Sequence, residues 1–308
     1  MLQATLSSED AFIRYEAVRA RFPHLPTCKS DLSTIASISS LSDITEQFDA
    51  FVFDAFGVLN VGDSAITGAC DRINFLRNKG KRLFVLTNAA SYRFSKVVEK
   101  FEKLGFSFLD SELVSSRAVC EMHLGQSGIE GVWGVVAPKD FSPGELSVPC
   151  FSLTDDPAGY EQADAFLILS SESWTNDRQE LLVASLAMKT RPVIVANPDL
   201  VAPREIGLSI EPGYYAHDLM DRVPGLSVAF HGKPFASVYD EVERRLHGIV
   251  PRNRIVMMGD SLHTDIWGGR VRGWGSVLVT EHGFLRGQDP LEAIRVSGIV
   301  PDFIVPSI

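Results

Sequence analysis

Short apolar runs that each stop at a polar residue most constrain this chain. Ala50-Phe51-Val52-Phe53 ends at Asp54, and Leu83-Phe84-Val85-Leu86 ends at Thr87-Asn88. Ile255-Val256-Met257-Met258 ends at Gly259-Asp260, and Val277-Leu278-Val279 ends at Thr280. Runs of this length without polar alternation fit strands covered on both faces, as in a parallel sheet. Helix-like stretches over about 68–78, 91–104 and 235–246 fall between them. Strand and helix in alternation imply an α/β fold with a doubly wound parallel sheet. Ligands in such sheets bind at the carboxyl ends of the strands, which is where these polar residues stand.

A second set of strand-like runs, Ala165 to Leu169 and Pro192 to Ala196, brackets a helix-like stretch from Asp177 to Lys189. This set interrupts the first pattern and is expected to be an inserted α/β cap. The expected division is therefore an N-terminal helical extension over 1–47, a core over 48–124 and 227–308, and a cap over 125–226. Within the extension, a helix is expected to start at Ser8 and run to about Arg21, ended by Pro23 and Pro26. The Ser- and Thr-rich stretch from Ser30 to Asp43 is expected to pack as a short helix and loops.

The net charge of −10 over 308 residues argues against a nucleic-acid partner, which would need clustered Lys and Arg. Cys28, Cys70, Cys120 and Cys150 form no C-x-x-C pair, which disfavours a zinc site and fits a reducing compartment. No run of about 18 apolar residues suggests a membrane span. The start lacks a basic stretch followed by an apolar one, so a cytoplasmic location is expected.

The polar strand ends, taken together, form an ordered set. It reads Asp54-x-x-Gly57-Val58, then Thr87-Asn88, then Gly232-Lys233-Pro234, then Gly259-Asp260-x-x-x-x-Asp265. Singly, Thr87 or Asp260 would be read as a helix cap and Lys233 as a solvated lysine. In combination they describe phosphoryl chemistry. The Asp54 carboxylate can attack phosphorus and form an acyl phosphate. Asp260 with Asp54 can hold a hard cation through oxygen, for which Mg²⁺ is suited. Lys233 can neutralise charge on the transferring group. The Thr87 hydroxyl and Asn88 backbone N–H can bind phosphate oxygens at a helix start, and Gly57 permits a sharp turn after the nucleophile.

This set resembles the four sequence motifs of the haloacid dehalogenase superfamily over roughly residues 48–308. Only 33 positions separate Asp54 from Thr87, whereas 146 separate Thr87 from Lys233. A large cap in the second interval resembles subclass IIA, the group of p-nitrophenyl phosphatase and pyridoxal-phosphate phosphatase relatives. Asn197-Pro198-Asp199, followed by Pro203, Gly207, Pro212 and Gly213, is similar to that subclass's cap. The resemblance implies Asp54 as nucleophile and metal ligand, a Phe56 backbone carbonyl on the metal, Asp260 as metal ligand and Asp265 as support for the metal's water shell. By the same resemblance Asn197, Asp199, Tyr214 and Tyr215 are placed nearest the cap side of the entrance. The expected partner is a small phosphorylated molecule. The assembly is left open, a homodimer being one option.

One position departs from the pattern. Phosphatases of the superfamily carry a second Asp two residues after the nucleophile, which protonates the leaving group and then activates water; here Phe56 stands there. Losing a general acid–base typically costs about 10²–10⁴-fold in rate, or roughly 3–5 kcal/mol of barrier. Three readings follow. A phosphatase could recruit another acid, Asp63 being a candidate that reads better as a turn residue. A dehalogenase, whose Asp-Ala-Tyr-Gly motif is similar to Asp54-Ala55-Phe56-Gly57, needs no such acid, but it carries its cap in the first interval and leaves Asp260 and Asp265 unexplained. A binding or regulatory protein would keep the fold without efficient turnover. A branch of subclass IIA is similar in having an aromatic at this position. Trp174, Trp267, Trp274, His231 and His263 are read as packing residues.

Overall fold

The computed structural model describes residues 5–24, 32–203 and 207–308. Its centre is a seven-stranded sheet in the order Ala36–Ser37, Phe303–Val305, Gly275–Val279, Ile255–Gly259, Ala50–Phe53, Arg82–Thr87, Leu113–Ser115. Every neighbouring pair in it is parallel. The apolar runs form this sheet because both of their faces are covered. Phe51 and Phe53 enter one buried cluster with Leu83, Val85, Val256 and Met258. Ala50 and Val52 enter the opposite one with Phe84, Leu86, Ile255 and Met257. A large side chain buried in this way contributes roughly 1.5–3 kcal/mol.

From Ala50–Phe53 the chain winds outward through helix Ala69–Asn78 to Arg82–Thr87, and on through helix Phe94–Lys103 to Leu113–Ser115. It later returns on the other side, where Ile255–Gly259 pairs with the same first strand and Met258 lies opposite Phe53. The strand order reverses at this pair. Asp54 and Asp260 leave the sheet side by side there, at the crevice where such folds bind ligands. The Asp54 N–H donates to the Met258 carbonyl at 2.9 Å, which carries the pairing up to the site.

The inserted unit has its own five-stranded parallel sheet, ordered Val228–Phe230, Val193–Val195, Ala165–Ile168, Trp133–Val136, Cys150–Ser152. One face is covered by helices Pro157–Gln162, Asn176–Met188 and Pro212–Arg222, through Tyr160, Leu182, Leu186, Ala216 and Leu219. The other face turns Trp133, Val135, Ala165 and Leu167 onto Ala90, Cys120 and Leu124 of the core. The cap therefore rests on the core through an apolar layer. Its last strand ends at Phe230, past the residue 226 at which the sequence pattern closes the cap.

The N-terminal segment departs most from expectation. Ser7 caps helix Ser8–Val18, its Oγ accepting from the Asp10 N–H at 3.0 Å. Ala11, Tyr15 and Val18 form the buried stripe of that helix. The helix continues as a 3₁₀ turn through Arg21. Before it, Thr5–Leu6 pairs antiparallel with Leu208–Ile210 of the cap, which pairs in turn with Val201–Pro203. Beyond it, Ala36–Ser37 joins the outer edge of the core sheet. The extension is thus not a separate helical unit, since one of its strands completes the core sheet and the other a small three-stranded antiparallel sheet on the cap. Pro26 and Cys28 lie outside the described residues. Among the described residues, no helix is long and apolar enough to cross a membrane.

Candidate active site

Asp54 stands at the mouth of the reversal, and its side chain meets Lys233. The Lys233 Nζ lies 2.5 Å from Asp54 Oδ1 and 2.7 Å from Asp265 Oδ1. Burial alone would favour the neutral amine, but the carboxylates of Asp265, Asp54 and Asp199 outweigh it and hold the ammonium well above its usual range. Asp260 Oδ2 accepts the Phe284 N–H at 2.8 Å, and Asp265 Oδ2 accepts the Ser261 N–H at 3.2 Å. Asp54, Asp260 and Asp265 each bring an oxygen into a group whose atoms all lie within 4.8 Å of one another.

That group carries more acid than its lysine can offset. Burial, then the nearby Asp54 and Asp265 charges, push the Asp260 carboxyl well above the ordinary range. Burial and Asp54 likewise push Asp265 up to about 7, against the pull of Lys233. A buried surplus of carboxylate, with only oxygen donors, matches a hard divalent cation. The room for it is kept by glycine. A β-carbon on Gly57, where φ is +77°, would fall 2.5 Å from Asp260 Oδ2, and one on Gly283 would fall 2.0 Å from the same atom.

Asn88 connects this centre to the cap. Its Oδ1 accepts the Lys233 N–H at 2.8 Å, and its Nδ2 donates to the Lys233 carbonyl at 3.0 Å and to Asp199 Oδ1 at 2.8 Å. The expectation of a helix start at Asn88 is corrected. The next helix begins at Phe94, and the intervening loop reaches the cap, where Ser91 Oγ donates to Ser170 Oγ at 2.9 Å. The Thr87 hydroxyl is occupied locally, accepting the Ala89 N–H at 3.2 Å. Asn197 orders the cap loop, its Oδ1 accepting the Asp199 N–H at 2.9 Å and its Nδ2 donating to Glu211 at 3.2 Å.

A cavity of about 540 Å³ opens between core and cap, and Asp54, Phe56, Thr87, Asn88, Asn197, Asp199, Lys233 and Asp260 all line it. Asp265 sits just behind, under Lys233. Tyr214 and Tyr215 do not line it, which corrects their expected place at the entrance. Tyr215 is buried in the cap's own core, and Tyr214 packs under the Arg14 guanidinium at 5.8 Å. Both belong to helix Pro212–Arg222, none of whose residues lines the cavity. Asp63 is exposed at the tip of the hairpin joining Asn60–Val61 to Ser64–Ala65 and is not a lining residue. Phe56 does line it, and the Lys100 ammonium lies 4.1 Å from the centroid of its ring.

Tyr15 is a lining residue that the sequence pattern did not single out. Its hydroxyl accepts the Leu200 N–H at 3.1 Å, and its ring stacks on His263 at 4.8 Å and 12°. Glu16 Oε1 lies 2.7 Å from His263 Nε2. His263 is thereby packed beneath the N-terminal helix rather than facing the site. His231 pairs with Ser237 Oγ at 3.1 Å, and Trp174, Trp267 and Trp274 are buried. The Ala11/Tyr15/Val18 stripe was the available signal for Tyr15, but periodicity gives no hint of what a stripe packs against.

Comparison with known proteins bears on this geometry. A family model described as haloacid dehalogenase-like hydrolase matches residues 51–142, and a second, described as HAD-hydrolase-like, matches residues 230–308. A Caenorhabditis elegans protein described as a NipSnap protein is 28% identical over 256 residues, covering 76% of this chain and 48% of the relative. The chain thus spans about half of that relative's length. Human glycerol-3-phosphate phosphatase is 26% identical, over 84% of this chain and 88% of the relative. In fold, the chain is similar to the Mycobacterium tuberculosis glycerol phosphate phosphatase solved in complex with magnesium. There the TM-score is 0.65 at 21% identity, covering 87% of this chain and 76% of that one.

Proposed function

Because the chain belongs to the haloacid dehalogenase-like hydrolases, we propose that it hydrolyses small phosphomonoesters through an aspartyl phosphate on Asp54. The observation that carries this is Lys233, whose ammonium sits between Asp54 and Asp265 at the sheet's reversal. An ammonium there orients the Asp54 carboxylate and offers positive charge to an incoming phosphate dianion, which would otherwise be repelled. Asp54, Asp260, Asp265 and the Phe56 backbone carbonyl are the groups that would hold Mg²⁺. When bound, the ion neutralises charge on the transferring phosphoryl group. The Thr87 hydroxyl and the Asn88 backbone N–H would bind phosphate oxygens. Asn88 also fixes the Lys233 backbone from both sides, which keeps the ammonium in register with Asp54. The cap covers the cavity and shields the transferring phosphoryl group from bulk solvent, while a cavity of this size leaves room for the water that must hydrolyse the phosphoenzyme.

The test is a phosphoester panel read by phosphate release, with Mg²⁺ and with chelator, on wild type and Asp54→Asn. Turnover is expected only with the metal, fastest on aryl phosphates, and absent in Asp54→Asn. Metal-independent release of halide from 2-haloacids would instead assign a dehalogenase. Tight binding of a phosphorylated molecule with no turnover of any ester would assign a binding protein.

A further inference from the structure

Phe56 leaves the reaction without its proton carrier, so another carboxyl lining the cavity has to serve. Asp54, Asp260 and Asp265 are committed to Lys233 and to the backbone N–H groups of Phe284 and Ser261. Glu211 is engaged by Asn197 and Ser209. Glu172 lies on the rim, paired with Lys139 at 3.5 Å and half exposed, and Asp140 is exposed. Asp199 remains. It lines the same cavity as Asp54, but from the cap side.

We propose that Asp199 is the general acid and base of this enzyme, supplying from the cap the proton that Phe56 cannot. The inference rests on the phosphatase reading above. Three features support it. In-line displacement places the leaving oxygen on the side of phosphorus away from the attacking carboxylate. The nucleophile belongs to the core, so the leaving group extends toward the cap. Asp199 is also positioned, since Oδ1 is held by Asn88 Nδ2 at 2.8 Å and its own N–H by Asn197 Oδ1 at 2.9 Å. Among the described residues, Oδ2 has no hydrogen-bond partner. Finally, the site favours a proton on Asp199. Burial raises its carboxyl to about 8, assisted by the Asp54 and Asp265 charges and opposed by Lys233 and the Asn88 amide. Tyr15, the other titratable group facing it, is kept neutral by burial and by Asp199 itself.

The steps balance. As Asp54 bonds to phosphorus, the ester P–O bond breaks and the Asp199 proton passes to the departing oxygen, releasing the alcohol. The Asp199 carboxylate then takes a proton from water while that water attacks the aspartyl phosphate. Inorganic phosphate leaves, and both aspartates return to their starting forms.

The test is rapid-quench kinetics of Asp199→Asn, which keeps the oxygen that accepts from Asn88. With p-nitrophenyl phosphate, whose leaving group needs no proton, about one nitrophenolate per site should appear rapidly. Turnover should then slow about 10²–10⁴-fold while phosphorylated enzyme accumulates. With an alkyl phosphate, first-turnover release of alcohol should itself slow by about that factor. Adding Phe56→Asp to Asp199→Asn should restore alcohol release, which a purely structural loss would not permit. Unchanged turnover on both esters, or equal loss of first-turnover release on both, would overturn the assignment. A wild type inactive on both esters would strike the phosphatase reading itself.

Discussion

The space at Gly57 is set by Asp260. A β-carbon there would meet Asp260 Oδ2 at 2.5 Å and the Gly283 Cα at 2.7 Å, in a backbone conformation that side chains disfavour. Gly57→Ala is therefore expected to move the Asp260 carboxylate. Metal titration of activity should show the Mg²⁺ requirement rising about tenfold or more, with about 1–3 kcal/mol lost in thermal unfolding. An unchanged Mg²⁺ requirement would mean that Asp260 does not ligate the ion. At this scale the meeting of Asp54, Lys233, Asp260 and Asp265 was legible in the sequence, because Asp54 and Asp260 each close an apolar run and Lys233 and Asp265 follow at motif spacing with chemistry that demands them. The Asn88–Asp199 bond could not be found. It joins a loop of the core to a loop of the cap, and no pattern along the chain pairs the two.

Helix Ser8–Val18 bridges core and cap, packing in one cluster with Leu262, Ile266 and Trp267 on one side and Leu200, Val201 and Leu208 on the other. The buried Tyr15–Leu200 hydrogen bond should count for more than the ion pairs of Arg14 and Arg21 with Asp221, whose side chain is 39% exposed. Tyr15→Phe leaves a buried N–H unsatisfied and should cost about 1–3 kcal/mol, whereas Asp221→Asn should cost about 1 kcal/mol or less. Denaturant unfolding of the two variants decides this, and the reverse order would show the helix held by charge. The long strands were legible as elements because burial on both faces leaves no polar residue in the run. Ala36–Ser37 and Thr5–Leu6 were not. Two residues carry no periodicity, and both side chains of Ala36–Ser37 are exposed at the sheet edge.

Over the whole molecule, surplus buried carboxyl couples folding to pH. Burial and the neighbouring carboxylates push the Asp199 carboxyl up to about 8 and the Asp265 carboxyl up to about 7, whereas an unfolded chain releases those protons near pH 4. The folded state thus holds more protons, and its stability is lost as pH rises through those values. With metal chelated, the thermal midpoint should fall between about pH 6.5 and 8, each proton contributing up to about 1.4 kcal/mol per pH unit. Saturating Mg²⁺ should flatten the fall, and Asp199→Asn should remove part of it. A midpoint that climbs across this window would mean that the carboxyls are already ionised in the metal-free fold. Fold class and the division into core and insert were readable because alternation and motif spacing are long-range patterns. The N-terminal segment was not, because it borrows its order from two sheets built later in the chain. The insert therefore cannot be exchanged as a module. Excised by the bounds of the insert alone, this cap would leave behind the Thr5–Leu6 strand that completes its small sheet, so any transfer of it into another core must carry this chain's N-terminus along.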